Sequence, residues 1–169
     1  MARERNPGAA ALGFSGVAST LSHFSIMQII DTFDNLSAAL EAVSEALTAL
    51  ETGATDLTLG VDRVRHELRE ALVAANGVSA TCVSSVPHSQ INKVRAAVDV
   101  GAVRALLQSA AISWGASTAR SGEGYLSRVV AATSGVRTIL EVAVSTLRNV
   151  QENVRPDGRD LERDWSLPA

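Results

Sequence analysis

Apolar residues recur at alternating steps of three and four along two stretches of this chain. The first runs through Ile29, Phe33, Leu36, Leu40, Val43, Leu47, Leu50, Ala54, Leu57, Val61, Val64, Leu68, Ala71 and Ala75. The second runs through Ile91, Val94, Val98, Gly101, Ala105, Gln108, Ile112, Gly115, Ala119, Gly122, Leu126, Val129, Thr133, Val136, Leu140, Ala143, Leu147, Val150 and Val154. Such spacing lines one side of an α-helix, whereas a half-buried strand needs period two. A seam with a seven-residue repeat also needs a partner helix to cover it. The pattern therefore predicts an all-α chain with one long helix over 26–77 and another over 91–155. Ahead of them, Phe14, Val17, Leu21 and Phe24 keep a three-four-three spacing. They predict a short amphipathic helix over 14–25, with a break near 22–26 because its register does not continue into the next repeat.

The helix breakers divide the chain in the same way. Pro7, Pro87, Pro156 and Pro168 all fall outside the two long repeats, where a proline would cost about 3 kcal/mol. Asn76-Gly77 reads as a C-terminal stop. The segment 78–90 reads as a connecting loop that carries Cys82, with Ser89 as N-cap of the second helix. Residues 1–13 read as a flexible arm and 156–169 as a charged tail containing Trp165. Met27 stands just ahead of the first regular repeat, and a chain begun there would lack the short helix. Gly53, Gly60 and Ser121-Gly122-Glu123-Gly124 interrupt the repeats without shifting their phase. Continuous helices would make an extended antiparallel hairpin with coiled-coil-like heptads, on the order of 75 to 95 Å long at about 1.5 Å per residue. Breaks at those positions would instead give a compact bundle of four or five helices.

Charge favours pairing the two repeats with each other. Residues 29–78 hold nine acids against Arg63, Arg65 and Arg69, while 91–154 hold Lys93 and six arginines against Asp99, Glu123, Glu141 and Glu152. An acidic helix folded back on a basic one is steered into register by this asymmetry. Apolar residues outside the strict seam, such as Ile30, Val73, Leu107, Val130, Ile139 and Val144, widen it beyond what one partner helix can cover. That surplus predicts a homo-oligomer, with Leu36, Leu40, Leu47, Leu126, Leu140, Leu147 and Trp114 as interaction residues and Trp165 as a docking residue in the tail. The small residues Gly101, Ala105, Gly115, Ala119 and Gly122 predict either close helix packing or a recess for a ligand at the bundle's centre.

Composition removes several classes of function. The net charge is −3 and no basic stripe is present, which argues against a general nucleic-acid binder. Fourteen of the fifteen basic residues are arginine, and with so much Ala and Gly this suggests a GC-rich bacterial coding sequence. No apolar run approaches the roughly 20 residues of a membrane span, and the N-terminus lacks the core of a secretory signal. His23, His66 and His88 form no metal spacing with one another or with the lone Cys82. Ser121-Gly122-Glu123-Gly124 lacks the lysine and the preceding strand of a phosphate loop. No catalytic, cofactor or metal residue is assigned, and the expectation is a chain that is not an enzyme.

An Ala-rich two-helix hairpin with Trp114-Gly115 at mid-chain resembles the WXG100-like helical hairpin proteins, which type VII secretion exports as dimeric four-helix bundles. In that family the turn carries Trp-x-Gly, whereas here the two residues are adjacent. Its export signature, a tyrosine followed four positions later by an acid, meets Val129 after Tyr125. The resemblance covers architecture, and none of the family's functional residues carry over. The expected function is a structural or protein-protein interaction module built on self-associating helices. It would be cytoplasmic and would reach another protein through the loop or the tail. The alternatives are an exported or membrane-acting hairpin protein and a small-molecule-binding bundle.

Overall fold

In a computed structural model, which describes residues 12–85 and 91–154, the chain is an all-α bundle of four helices. They are α1 (Leu12–Glu51), α2 (Leu57–Ser85), α3 (Ile91–Thr118) and α4 (Tyr125–Val154). Each packs on its neighbours in sequence, and α4 closes the ring against α1. The compact alternative is therefore the observed one. The two continuous helices expected over 26–77 and 91–155 are each interrupted, the first at 52–56 and the second at 119–124. The short helix over 14–25 is part of α1, with no break near 22–26. Gly77 does not stop α2 either: Val78 beyond it is completely buried, so packing carries the helix on to Ser85, and Cys82 lies in α2 rather than in a loop. Ser89, the predicted N-cap, and Trp165 in the predicted tail lie outside the described residues.

The break at 52–56 has a local chemical cause. Gly53 takes φ +67°. Its N–H donates to the carbonyl of Leu50 (3.3 Å), and the N–H of Ala54 donates to the carbonyl of Ala49 (3.0 Å). This is the double hydrogen bond of a Schellman cap, which satisfies the last carbonyls of α1. Three residues on, the Asp56 carboxylate accepts from the N–H groups of Thr58 (3.1 Å) and Leu59 (3.4 Å), the geometry of an N-cap at the start of α2. Gly60 lies inside α2 and breaks nothing. A Cβ at Gly53 would meet no atom within 4 Å, so Gly53→Ala isolates the backbone strain. It is expected to cost about 1 to 2 kcal/mol in a urea titration, and an unchanged midpoint would show that the turn can be remade without glycine.

The second turn is held differently. Gly122 (φ +128°) and Gly124 (φ +73°) adopt conformations that disfavour other residues. Arg128, on the first turn of α4, donates to the carbonyls of Glu123 (3.0 Å) and Arg120 (2.6 Å), and its guanidinium lies 5.9 Å from the Tyr125 ring centroid. One side chain thus ties the end of α3 to the start of α4.

The core confirms the predicted seam in three helices and overturns it in the fourth. Phe33, Leu36, Leu40, Val43 and Leu47 of α1, Val61, Val64, Leu68, Ala71 and Ala75 of α2, and Val129, Thr133, Val136, Leu140, Ala143, Leu147 and Val150 of α4 are all buried. In α3 the buried residues are Val100, Val103, Leu107, Ala110, Trp114 and Thr118. The expected seam residues Val98, Gly101, Ala105, Gln108 and Ile112 face solvent instead. The turn at 119–124 lets α3 and α4 set their rotations independently. Burial selects the α3 stripe that contains leucine and tryptophan, because a larger apolar side chain gains more on leaving water.

Candidate interaction surface

Leu36, Leu40, Leu47, Leu140, Leu147 and Trp114, expected as interaction residues, lie inside the chain's own core. There they pack its helices against one another. Trp114 is fully buried, and its indole N–H donates to the carbonyl of Val61 in α2 (3.2 Å). A half-buried polar chain continues from it: Thr118 donates to the Trp114 carbonyl (2.7 Å), and Arg65 bridges Thr118 (3.2 Å) and Asp62 (2.6 Å). Leu126, the other described residue of that set, is 61% exposed.

Among the described residues, the predicted acid-base pairing of the two halves appears as one ion pair. Arg137 of α4 makes a forked contact with the Glu51 carboxylate of α1 (3.1 and 2.6 Å) and a hydrogen bond to Thr48 (3.2 Å). The hydrogen bond to Glu51 raises the guanidinium's pKa above its ordinary value, and desolvation works against it. Both side chains remain partly exposed, so the pair orients more than it stabilises. A second contact, Gln151 to Ser37 (3.4 Å), lies the same number of residues away on each helix, which fixes a constant antiparallel register between α1 and α4.

Among the described residues no group of His, Cys, Asp and Glu could hold a metal ion. His66 is exposed on α2, and Arg63 and Glu67 beside it form a 4.0 Å ion pair on the same helix. His88 lies outside the described residues.

What sets the surface apart is α3. The outward faces of its neighbours carry charges along most of their length: Asp34, Glu41 and Glu45 on α1, Asp62, Arg63, Arg69 and Glu70 on α2, and Glu141, Arg148 and Glu152 on the second half of α4 are exposed, whereas the first half of α4 presents Leu126 and Val130. On α3 the exposed residues from Val98 to Ala116 include Gly101, Ala102, Ala105, Gln108, Ser109, Ile112 and Ser113. Val98 and Ile112 are 66% and 65% exposed. The two charged residues of this stretch keep to the flanks: Arg104 is exposed but one turn from both Val100 and Leu107 of the core stripe, and Asp99 is half-buried. A Cβ added at Gly101 or Gly115 would meet nothing within 4 Å. Gly101 faces outward and Gly115 stands half-buried at the edge of the same face, away from the core stripe of α3.

A second feature is the length of α1. From the Gln151–Ser37 contact, the end of α4 at Val154 stands level with Asp34, so the earlier residues of α1 have no α4 beside them. The leading turn of α2 meets α1 where Gly60 approaches Leu50. Counting along both helices from there, Ser85 comes level with Ser25. No described element stands beside Leu12–Phe24, and where α1 leaves the bundle Met27 and Ile30 are 47% and 44% exposed.

No protein-family model matches the chain, and a search of curated proteins finds no significant relative.

Proposed function

We propose that the chain is a non-enzymatic module of self-associating helices that engages a protein partner through the outward face of α3. The observation that carries this reading is the outward face of α3 from Val98 to Ala116, on which small and apolar residues are exposed and the one exposed charge, Arg104, stands at the flank. A helix apolar on nearly all sides is normally covered on all sides, and an uncharged patch rimmed by polar residues marks a contact surface. Gly101, Ala102, Ala105 and Ser109 would let the backbone of a partner helix approach closely, with Val98 and Ile112 as side-chain anchors at the two ends. The partner's chemistry follows: an uncharged helical face about 30 Å long.

The test uses two residues that the fold does not need. The Val98→Glu/Ile112→Glu double variant should keep the parent's melting temperature, since exposed substitutions stay within about 0.5 kcal/mol each. It should also lose a defined protein that the parent captures in affinity purification from its native cells. A partner retained by the variant rules out α3 as the contact. If neither form captures anything and a ligand library raises the melting temperature through binding to the folded state, the chain is a small-molecule binder.

A membrane-acting reading has one observation in its favour. In α4, Tyr125–Glu152 is long and apolar enough to cross a bilayer by length and composition, with a mean hydropathy of 1.3 and 33% of its window buried in the bundle. Leakage of liposomes on addition of the protein would favour that reading over the module.

A further inference from the structure

We propose that the chain forms a two-fold dimer in which each α3 lies antiparallel on the α4 of a second copy. This deepens the α3 reading above and rests on it, by naming what occupies that face. The outward side of α3 runs on into the outward side of α4, the helix packed next to it. From Ser127 to Ser145 the exposed residues of α4 are small or apolar apart from one charge, Glu141. From Val98 to Ala116 the one exposed charge of α3 is Arg104. Neither enters an ion pair of the bundle.

Charge complementarity selects the arrangement. Arg104 has the heptad position of Thr118, which meets Arg65 of α2, so it stands on the edge of α3 nearer α2. Glu141 comes one turn after Arg137, which reaches Glu51 of α1, so it stands on the edge of α4 nearer α1. The two charges thus border the shared face on opposite sides. A two-fold axis across the helices would lay α3 on its own copy and put the two Arg104 side chains on one edge. An axis parallel to the helices instead lays α3 on the second copy's α4, with Arg104 and Glu141 on the same edge, and isologous symmetry repeats the pair at the other edge.

Level and shape agree with that choice. Thr118 and Tyr125 flank the turn between the helices, so residues equal steps away from them share a level, and rotation about a parallel axis preserves it. Arg104 is level with Ile139, about 3 Å along the axis from Glu141. By the same count Ile112 faces Ala131, Gln108 faces Gly135 and Gly101 faces Val142, so that larger side chains meet small ones. A Cβ at Gly101 or Gly135 would meet nothing within 4 Å in its own chain, which leaves room for the opposing side chain. Area requires both helices. A strip of α3 about 28 Å by 10 Å, paired with its like, covers only roughly 560 Å² in projection, short of the roughly 1,000 Å² of a specific interface. With α4 included the figure doubles to about 1,100 Å², enough for a dimer at the weak end of that class.

The experiment is sedimentation velocity on the full chain at tens of micromolar. The parent should sediment as a dimer that dissociates on dilution. Val142→Glu, 50% exposed in the bundle, should sediment as a monomer with the parent's helical circular dichroism. Arg104→Glu should weaken the dimer by about tenfold, in keeping with two exposed pairs turned repulsive, and adding Glu141→Arg should restore it. If Glu141→Arg does not rescue Arg104→Glu, the two residues do not face each other and this geometry is overturned. A dimer lost in Val98→Glu/Ile112→Glu but kept in Val142→Glu would also overturn it, and would leave the α3 reading standing. A parent that stays monomeric would overturn the pairing, whereas failure of the α3 reading itself would appear as a captured protein that Val98→Glu/Ile112→Glu retains.

Discussion

Leu40→Asp should leave the chain without a cooperative thermal transition. Leu40 is 1% exposed in the middle of α1, and removing it forfeits roughly 1.5 to 3 kcal/mol of burial. The aspartate must then either ionise where it cannot be solvated or take up a proton to avoid doing so, which adds several kcal/mol. Together these approach the whole stability of a domain, roughly 5 to 15 kcal/mol. Leu140→Asp, at 5% exposure in α4, should behave alike. Leu126→Asp, on the same apolar repeat but 61% exposed, should shift stability by no more than about 0.5 kcal/mol. Circular dichroism melts on the three variants provide the comparison. If Leu126→Asp were as damaging as Leu40→Asp, the outer side of α4 would have to be covered in the folded protein.

The second large effect is expected at Trp114. Trp114→Ala empties the largest fully buried site in the core and should cost about 3 to 5 kcal/mol, the range for aromatic-to-alanine changes in cores. Part of that cost is the hydrogen bond to the Val61 carbonyl, through which α3 contacts α2. Ile112→Asp, two residues earlier and 65% exposed, should be nearly neutral. Urea titrations of the pair measure how far α3 is rotated: a heptad carried unbroken from Val129 back to Ile91 predicts the opposite order of damage.

That reversal shows where the sequence was legible and where it was not. In α1 and α2 the apolar residues have charged or polar neighbours on the opposite side, so only one stripe could face inward, and its phase was readable. The phase also survives the turn at Gly53, since Leu50 and Leu57 on either side stand one heptad apart, which made two helices look like one. The evidence for the break was present as a pair, Gly53 followed by Asp56, a C-terminal cap and an N-cap three residues apart. Taken singly, Gly53 is only a costly helix residue; the pair is what marks a break. In α3 two stripes are apolar, and period alone cannot choose between them. Volume can: Val100, Val103, Leu107, Ala110 and Trp114 outweigh Val98, Gly101, Ala105, Gln108 and Ile112.

The candidate surface was legible as residues and misplaced as a location. The small residues of α3 were noticed, yet assigned to the interior because the heptad was carried through Ser121–Gly124. The fold turns them outward, on a face whose one exposed charge, Arg104, stands at the flank.

The two turns also bear on how the chain can change length. In a continuous heptad helix one inserted residue rotates everything beyond it by about 100° and exchanges core for surface along the whole remainder. Here each turn ends its helix with bonds of its own, Gly53 and Asp56 at one and Arg128 at the other. A residue gained or lost between these anchors is absorbed where it occurs. The bundle is thereby divided into helices that can drift in loop length and outer chemistry separately while sharing one interior.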